Sequence, residues 1–156
     1  MSIVWITSDW HLGHANISKF RPRISSSEEN DSLLIENYKS LIHKRDLVWF
    51  LGDVAFTNEA LDKLSGLPGE KRLILGNHDT DMKVTFKIFF DYFTKIASLV
   101  SYKKAWLSHA PIHPDVLRGR INIHGHCHNN KIDDPRYINV CVDHTDMKPV
   151  KFQDLI

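Results

Sequence analysis

The segment IVWITSDWH (Ile3–His11) sets a pattern that the rest of the chain repeats. Its first five residues are β-branched or aromatic, a composition that fits a buried strand. The run then stops, and a carboxylate and an imidazole, Asp9 and His11, follow at once. DLVWFLGD (Asp46–Asp53) ends on Gly52 and Asp53 in the same way. RLILGNHD (Arg72–Asp79) delivers Asn77 and His78, and AWLSH (Ala105–His109) delivers His109. INIHGHCHN (Ile121–Asn129) delivers His124, His126 and His128 at alternate positions. Each apolar run thus places a metal-ligating or proton-handling group just past its C-terminal end. Open α/β sheets bind ligands outside the carboxyl ends of their strands. These segments are therefore expected to converge on one site.

The stretches between them carry helical signals. SSSEENDSLLIENYKSLIHK (Ser25–Lys44) reads as a helix, with Leu34, Tyr38, Leu41 and Ile42 at helical spacing. Ser25 or Ser26, each with a glutamate three residues on, offers a capping box. Thr57 caps a short helix with Leu61 and Leu64 on one face, ending near Gly66. The second and third strands span Leu47–Leu51 and Arg72–Leu75. Met82–Phe93 reads as helix, although Phe86, Phe89, Phe90 and Phe93 also suit a strand. ASLVSY and KAWLSH form a hairpin near Lys103–Lys104, and RINIHGH, RYINVCVD and PVKFQDL supply three more strands. Helices alternate with strands first and strands dominate later. That order argues for a layered α/β domain, with one mixed sheet or two sheets packed as a sandwich. A chain of 156 residues without repeats or linkers fits one domain.

Composition narrows the function classes. No apolar run reaches the roughly 18 residues needed to span a bilayer. The N-terminus lacks the basic start and cleavage site of a secretory signal, so the cytoplasm is the expected compartment. A formal net charge of +1 gives no general nucleic-acid footprint, despite basic clusters at Lys19, Arg21 and Arg23 and at Arg118 and Arg120. Cys127 and Cys141 match no zinc pattern and are expected to be free thiols. The ten histidines are the unusual feature. Imidazole, carboxylate and amide oxygen together suit Mn²⁺, Fe²⁺, Zn²⁺ or Ni²⁺. There are more such groups than one tetrahedral ion needs. Two ions sharing a carboxylate would use them, and a two-metal site clamps both oxygens of an in-line displacement at phosphorus.

In order along the chain, SDWH, GD, GNHD, SH and GHCH resemble the DxH, GD, GNH(D/E), H and GHxH motifs of the calcineurin-like metallophosphoesterases. SDWHLGHANI also resembles the small phosphoesterases of bacteria and phages. The resemblance implies a four-layer α/β/β/α sandwich with mixed sheets, a single domain over residues 1–156, and no cap domain. It implies one metal held by Asp9, His11 and His128 and a second held by Asn77, His109 and His126, with Asp53 bridging. His78 would be catalytic, assisting the leaving group. The implied reaction is hydrolysis of a phosphomonoester or phosphodiester, small or nucleotide-like, by metal-activated hydroxide. The implied cofactors are two divalent ions, manganese before iron, zinc or nickel. The expected partner is a phosphate ester rather than a membrane. Rival readings are a nuclease, a protein phosphatase, or a non-enzymatic scaffold of the same fold.

Two departures from the family pattern shape the remaining expectations. GDVAF carries Phe56 where many relatives carry an acidic or basic residue, so Asp79 becomes the nearest candidate to orient His78. Without a cap, loops must select substrate. His14, Asn16 and Arg21 are expected to line the substrate side, with Lys19 and Arg23 nearby and His113 or Arg118 forming a second wall. Trp5, Trp49 and Trp106 read as core. Trp10 would pack beneath the site or stack on a base. His124 is expected to support the site or the fold rather than ligate, and a structural role for His144 is as open as a functional one.

Overall fold

The computed structural model describes residues 2–81 and 83–156. Four strands come first: β1 (Val4–Thr7), β2 (Leu47–Phe50), β3 (Glu70–Ile74) and β4 (Lys95–Ala97). They are followed by β5 (Leu99–Tyr102), β6 (Ala105–Ser108), β7 (Ile121–His124), β8 (Tyr137–Asn139) and β9 (Val150–Lys151). Two mixed sheets result, ordered β4-β3-β2-β1-β9 and β5-β6-β7-β8. In the larger sheet only β9 runs antiparallel to its neighbour, and in the smaller only β5 does. The parallel pairing of β1, β2 and β3 carries their C-terminal ends to one edge, and β6 and β7 do the same in the second sheet.

Strand periodicity divides the core in two. Ile6, Trp49, Leu51 and Ile74 of the larger sheet and its flanks meet Ala105, Leu107 and Ile123 of the smaller one. The alternate residues, Trp5, Val48, Phe50 and Leu73, face the helices α1 (Ser27–Leu41) and α2 (Asn58–Leu61), where Leu34, Tyr38, Ala60 and Leu61 cover them. Trp10 belongs to this second cluster. Its ring stands edge-on to Phe50 at 4.9 Å and to Tyr38 at 5.7 Å, and its Nε1–H donates to Thr7 Oγ1 at 2.7 Å. It therefore packs beneath the site and presents no face to a ligand. The contacts define three layers. On the outer side of the smaller sheet stands a single turn, α5 (Pro114–Leu117), whose Leu117 carbonyl accepts from Trp106 Nε1 at 3.2 Å.

Local chemistry sets the element ends. Ser26 Oγ accepts from the N–H of Glu29 at 3.1 Å, while the Glu29 carboxylate reaches back to the N–H and hydroxyl of Ser25. Both serines are thus used, one in each half of the cap. Helix α1 ends at Leu41, three residues before the expected Lys44, where the chain turns toward Asp46. The expected helix over Met82–Phe93 is helical only from Phe86, since Lys83 pairs with Thr57 as an isolated bridge. A 3-10 turn at Phe86–Ile88 runs into α4 (Phe89–Tyr92), burying Phe89 and Phe93 and exposing Phe86 and Phe90. Met82, the first residue of that expected helix, lies outside the described residues. PVKFQDL gives only the two-residue β9 before a 3-10 turn at Phe152–Asp154. No described helix is long and apolar enough to cross a membrane.

Asp46 ties the start of β1 to the end of α1. Its carboxylate accepts from the N–H groups of Ile3 and His43, each at 2.9 Å, and from Trp5 Nε1 at 3.2 Å. Burial works to raise its pKa, but these donors outweigh it and hold the group below the usual carboxylate range. Asp46→Ala should cost on the order of 2–3 kcal/mol, because buried donors lose their acceptor. A depressed folded-state pKa means that this stability is complete above the unfolded value and is lost as pH falls through the folded one. Urea unfolding of both chains should therefore show a clear gap at neutral pH that narrows in acid. An equal gap at both would refute the assignment.

Candidate metal centre

Loops following β1, β2, β3, β6 and β7 meet above the shared strand ends. Backbone bonds lock them together: Asp9 N to Gly52 O and His11 N to Asp53 O, both at 3.0 Å, and Gly125 N to His109 O at 2.8 Å. Asp9, His11, Asp53, His126 and His128 all have positive φ, between 43° and 68°. Non-glycine residues rarely adopt this left-handed region, and each costs on the order of 1 kcal/mol or more. Two glycines allow the loops to close. A Cβ on Gly76 would overlap the Asp53 carboxylate, and one on Gly125 would overlap Ser8 Oγ and Asp9 Oδ2.

One group placed so that it could hold a metal ion is Asp9, His11 and His128. Asp9 Oδ2 accepts from Ser8 Oγ at 2.6 Å, His126 N at 2.9 Å and Cys141 Sγ at 3.1 Å. Its Oδ1 is left without a hydrogen-bond partner, and so is His11 Nε2, although both are buried. Oδ1 lies 3.7 Å from His11 Nε2 and 3.8 Å from His128 Nε2. Native proteins rarely strand buried polar atoms, each costing about 1–3 kcal/mol. Here the stranded atoms face one another, as the ligands of a cation do. Burial opposes ionisation of Asp9, but the neighbouring His11 imidazole, the charge of His109 and the hydrogen bonds from Ser8 and Cys141 bring its pKa down to about 2.

The second group is Asp53, Asn77, His109 and His126. His109 Nδ1 donates to the Leu51 carbonyl at 2.7 Å, which leaves Nε2 to face the site. That nitrogen lies 3.0 Å from Asn77 Oδ1, 3.1 Å from His126 Nδ1 and 3.3 Å from Asp53 Oδ2. Every one of these atoms is a lone-pair donor suited to a borderline divalent ion. Without an ion, a proton is the alternative. Burial lowers the basicity of His109, but Asp53 and Asp9 overcome it and raise its pKa to about 9. Asp53 Oδ2 is also 3.6 Å from His11 Nε2, so this carboxylate stands between the two groups.

His78 donates its backbone N–H to Asp53 Oδ1 at 2.9 Å and presents a half-exposed imidazole beside the ligands. Its Nδ1 is 3.3 Å from Asp81 Oδ1, and its ring packs on Phe56 at 5.1 Å. Asp79 does not orient it, contrary to expectation. The Asp79 carboxylate is buried and accepts from the N–H groups of Gly76, Asp53 and Val54 at 2.8, 2.9 and 3.0 Å, bracing the second and third loops. Burial raises its pKa to about 6 despite those bonds. His78 opens the one-turn helix α3 (His78–Asp81), so Asp81, three residues on, comes within reach.

The expected substrate residues divide. His14 stacks edge-on against Phe56 at 4.5 Å and shares a cleft of about 420 Å³ with His11, His78 and His128. Asn16 is exposed beside it and donates its backbone N–H to His14 Nδ1 at 3.2 Å. Arg21 lies outside the cleft and lines the cavity beside it. Its guanidinium is buried and its N–H groups are committed to Asp143, Asn30 Oδ1 and the carbonyls of Asp9 and Trp10. His113 caps α5, and neither it nor Arg118 lines the cleft. His124 is buried, hydrogen-bonds the Gly125 carbonyl and joins neither ligand group, while His144 is exposed. The sequence reading missed Ser8, Asp81, Cys141 and Asp143. Asp143 alone carried the familiar signal, a carboxylate after the apolar run YINVCV.

The comparisons with known proteins bear on this arrangement. A family described as calcineurin-like phosphoesterase matches residues 3–151. The gene 66 protein of Mycobacterium phage D29 is 34% identical, over 92% of this chain and 89% of its own length. That of Mycobacterium phage L5 is 31% identical, over 85% and 80%. The uncharacterized protein MJ1445 of Methanocaldococcus jannaschii is 34% identical, over 100% of this chain and 90% of its own. A crystal structure of the protein of unknown function AQ665 from Aquifex aeolicus superposes with a TM-score of 0.79 at 25% identity, over 99% and 98% of the two chains.

Competition between a proton and an ion at His109 makes a testable demand. Because that pKa is raised to about 9, binding near neutral pH should release a proton. Apparent affinity for Mn²⁺ should rise by about tenfold per pH unit between pH 6 and 8. Calorimetric titration in two buffers of different ionisation enthalpy would count the protons. A pH-independent affinity would exclude the mechanism.

Proposed function

Because the chain belongs to the calcineurin-like phosphoesterase family, we propose that it hydrolyses a phosphomonoester or phosphodiester at a centre of two divalent ions. One ion is held by Asp9, His11 and His128, the other by Asn77, His109 and His126, with Asp53 shared. The observation that carries this reading is the pair of buried, unpartnered atoms, Asp9 Oδ1 and His11 Nε2, beside a second cluster of facing lone pairs. When bound, the two ions supply Lewis acidity, neutralising charge on phosphate oxygens and lowering the pKa of water in the site. Manganese is the ion to test first.

The chain's own residues supply orientation and proton handling. Asp53 spaces the two ligand groups. His78 is fixed at its backbone by Asp53 and at its ring by Asp81 and Phe56, so it can hold a proton toward a departing oxygen. His14 accepts from Asn16 N at Nδ1, which leaves Nε2–H as a donor in the cleft, suited to a phosphate oxygen. A second cavity of about 410 Å³ adjoins the cleft and shares Phe20 and Asn129 with it. Apolar Pro22, Ile24, Leu33, Val142 and Met147 line it together with the charged Arg21, Arg23, Glu29, Asp143 and Asp146, a mixed surface with room for the non-transferred part of a small or nucleotide-like ester. A binding scaffold is the weaker reading, since every ligand position and His78 are present.

The first experiment is turnover of p-nitrophenyl phosphate and bis-p-nitrophenyl phosphate by purified protein with Mn²⁺. Activity on neither, with no ion bound, would sink the proposal; preference for the diester would assign a phosphodiesterase. His78→Ala should lower kcat by about 10²–10⁴-fold while ion content stays unchanged. Undiminished kcat in a fully loaded variant would remove His78 from the reaction.

A further inference from the structure

We infer that Asp143 is a positioning residue for one ion site alone, holding the His128 imidazole so that Nε2 faces Asp9 and His11, with Arg21 as the group that fixes Asp143. The inference rests on the dinuclear reading above and concerns how one half of that centre is assembled.

His128 needs an external reference. Its side chain is 37% exposed and its backbone is left-handed, with φ of 43°. Among the described residues, Asp143 is its only hydrogen-bond partner at the ring, with Oδ2 at 3.2 Å from Nδ1. A carboxylate accepts, so Nδ1 carries the proton and Nε2 keeps its lone pair. Asp143 is in turn immobilised. Arg21 Nε donates to Oδ1 at 3.0 Å and Nη2 to Oδ2 at 3.2 Å, a two-point contact between side chains 4% and 5% exposed. The same guanidinium donates to the backbone carbonyl of Asp9 at 2.5 Å. One rigid planar group thus references two ligands of the same ion, although they lie on opposite sides of the sheet interface.

The other ligand group has a separate reference. His109 is fixed by the Leu51 carbonyl at 2.7 Å, and His126 Nδ1 lies 3.1 Å from both His109 Nε2 and Asn77 Oδ1. Neither contact involves Asp143 or Arg21. A disturbance at position 143 should therefore be felt at one ion and not at both. If the Arg21–Asp143 pair were only a clasp between the early loop and the end of the chain, its loss would loosen both groups alike.

The test is calorimetric titration of Mn²⁺ into the ion-free full chain, with electron paramagnetic resonance to separate coupled from isolated Mn²⁺. Asp143→Ala should weaken one ion by about 10–100-fold and leave the other unchanged, the usual scale for removing such a partner. The coupled-pair signal should give way to that of an isolated ion at limiting manganese. Asp143→Asn keeps an acceptor for Nδ1–H and should show a smaller loss at the same ion; it also serves if the alanine variant does not fold. Equal weakening of both ions, or of neither, in a folded variant would overturn the inference. A wild-type chain that takes up fewer than two ions would overturn the functional reading, and this one with it.

Discussion

Asp53 is the contact on which the loops of this protein depend. Its Oδ2 lies 3.3 Å from His109 and 3.6 Å from His11, one in each ligand group, while Oδ1 receives the N–H of His78. Its own N–H is held by Asp79, and its carbonyl accepts from His11. Burial works against its ionisation, yet the close imidazoles of His109 and His11 and the N–H of His78 drive its pKa far below the ordinary carboxylate range. A permanent negative charge is therefore fixed at the seam of two clusters of lone pairs. Everything nearby is arranged around that charge, including the absence of a side chain at Gly76, which leaves the carboxylate its space.

The layered core explains how loops from two sheets can be aimed with such economy. Trp10 sits between two ligands in sequence, yet its ring is locked among Phe50 and Tyr38 on the helical side of the larger sheet. Ser8 pairs with Cys141 as an isolated bridge, linking the first strand's end to the segment that follows β8. The ligand-bearing loop after β1 is thus anchored in the core below and to the second sheet beside it.

What could be read from the sequence was the part carried by contiguous patterns. A buried strand ending in a polar ligand is visible in a few residues, and it recurred at Asp9, Asp53, Asn77, His109 and His126. The supporting contacts are different in kind because they join distant positions. Arg21 and Asp143 are 122 residues apart, and Ile3 and Asp46 are 43 apart. A lone arginine in a loop gives its charge but not its burial, so the sequence does not reveal that the Arg21 guanidinium is held by Asp143 and Asn30. Asp79 and Asp81 were indistinguishable by composition. Only the turn of α3 reveals that one faces the backbone and the other the His78 ring. The left-handed ligand residues were equally hidden, since nothing in an Asp or His announces its φ.

Those left-handed residues have a consequence for the life of the protein. The folded chain carries left-handed backbone at Asp9, His11, Asp53, His126 and His128, and it also holds their lone pairs face to face, a cost that a bound cation would offset. Ions that bind only the folded state stabilise it by mass action. On the reading proposed above, metal supply would raise the stability of the folded chain as well as enable turnover.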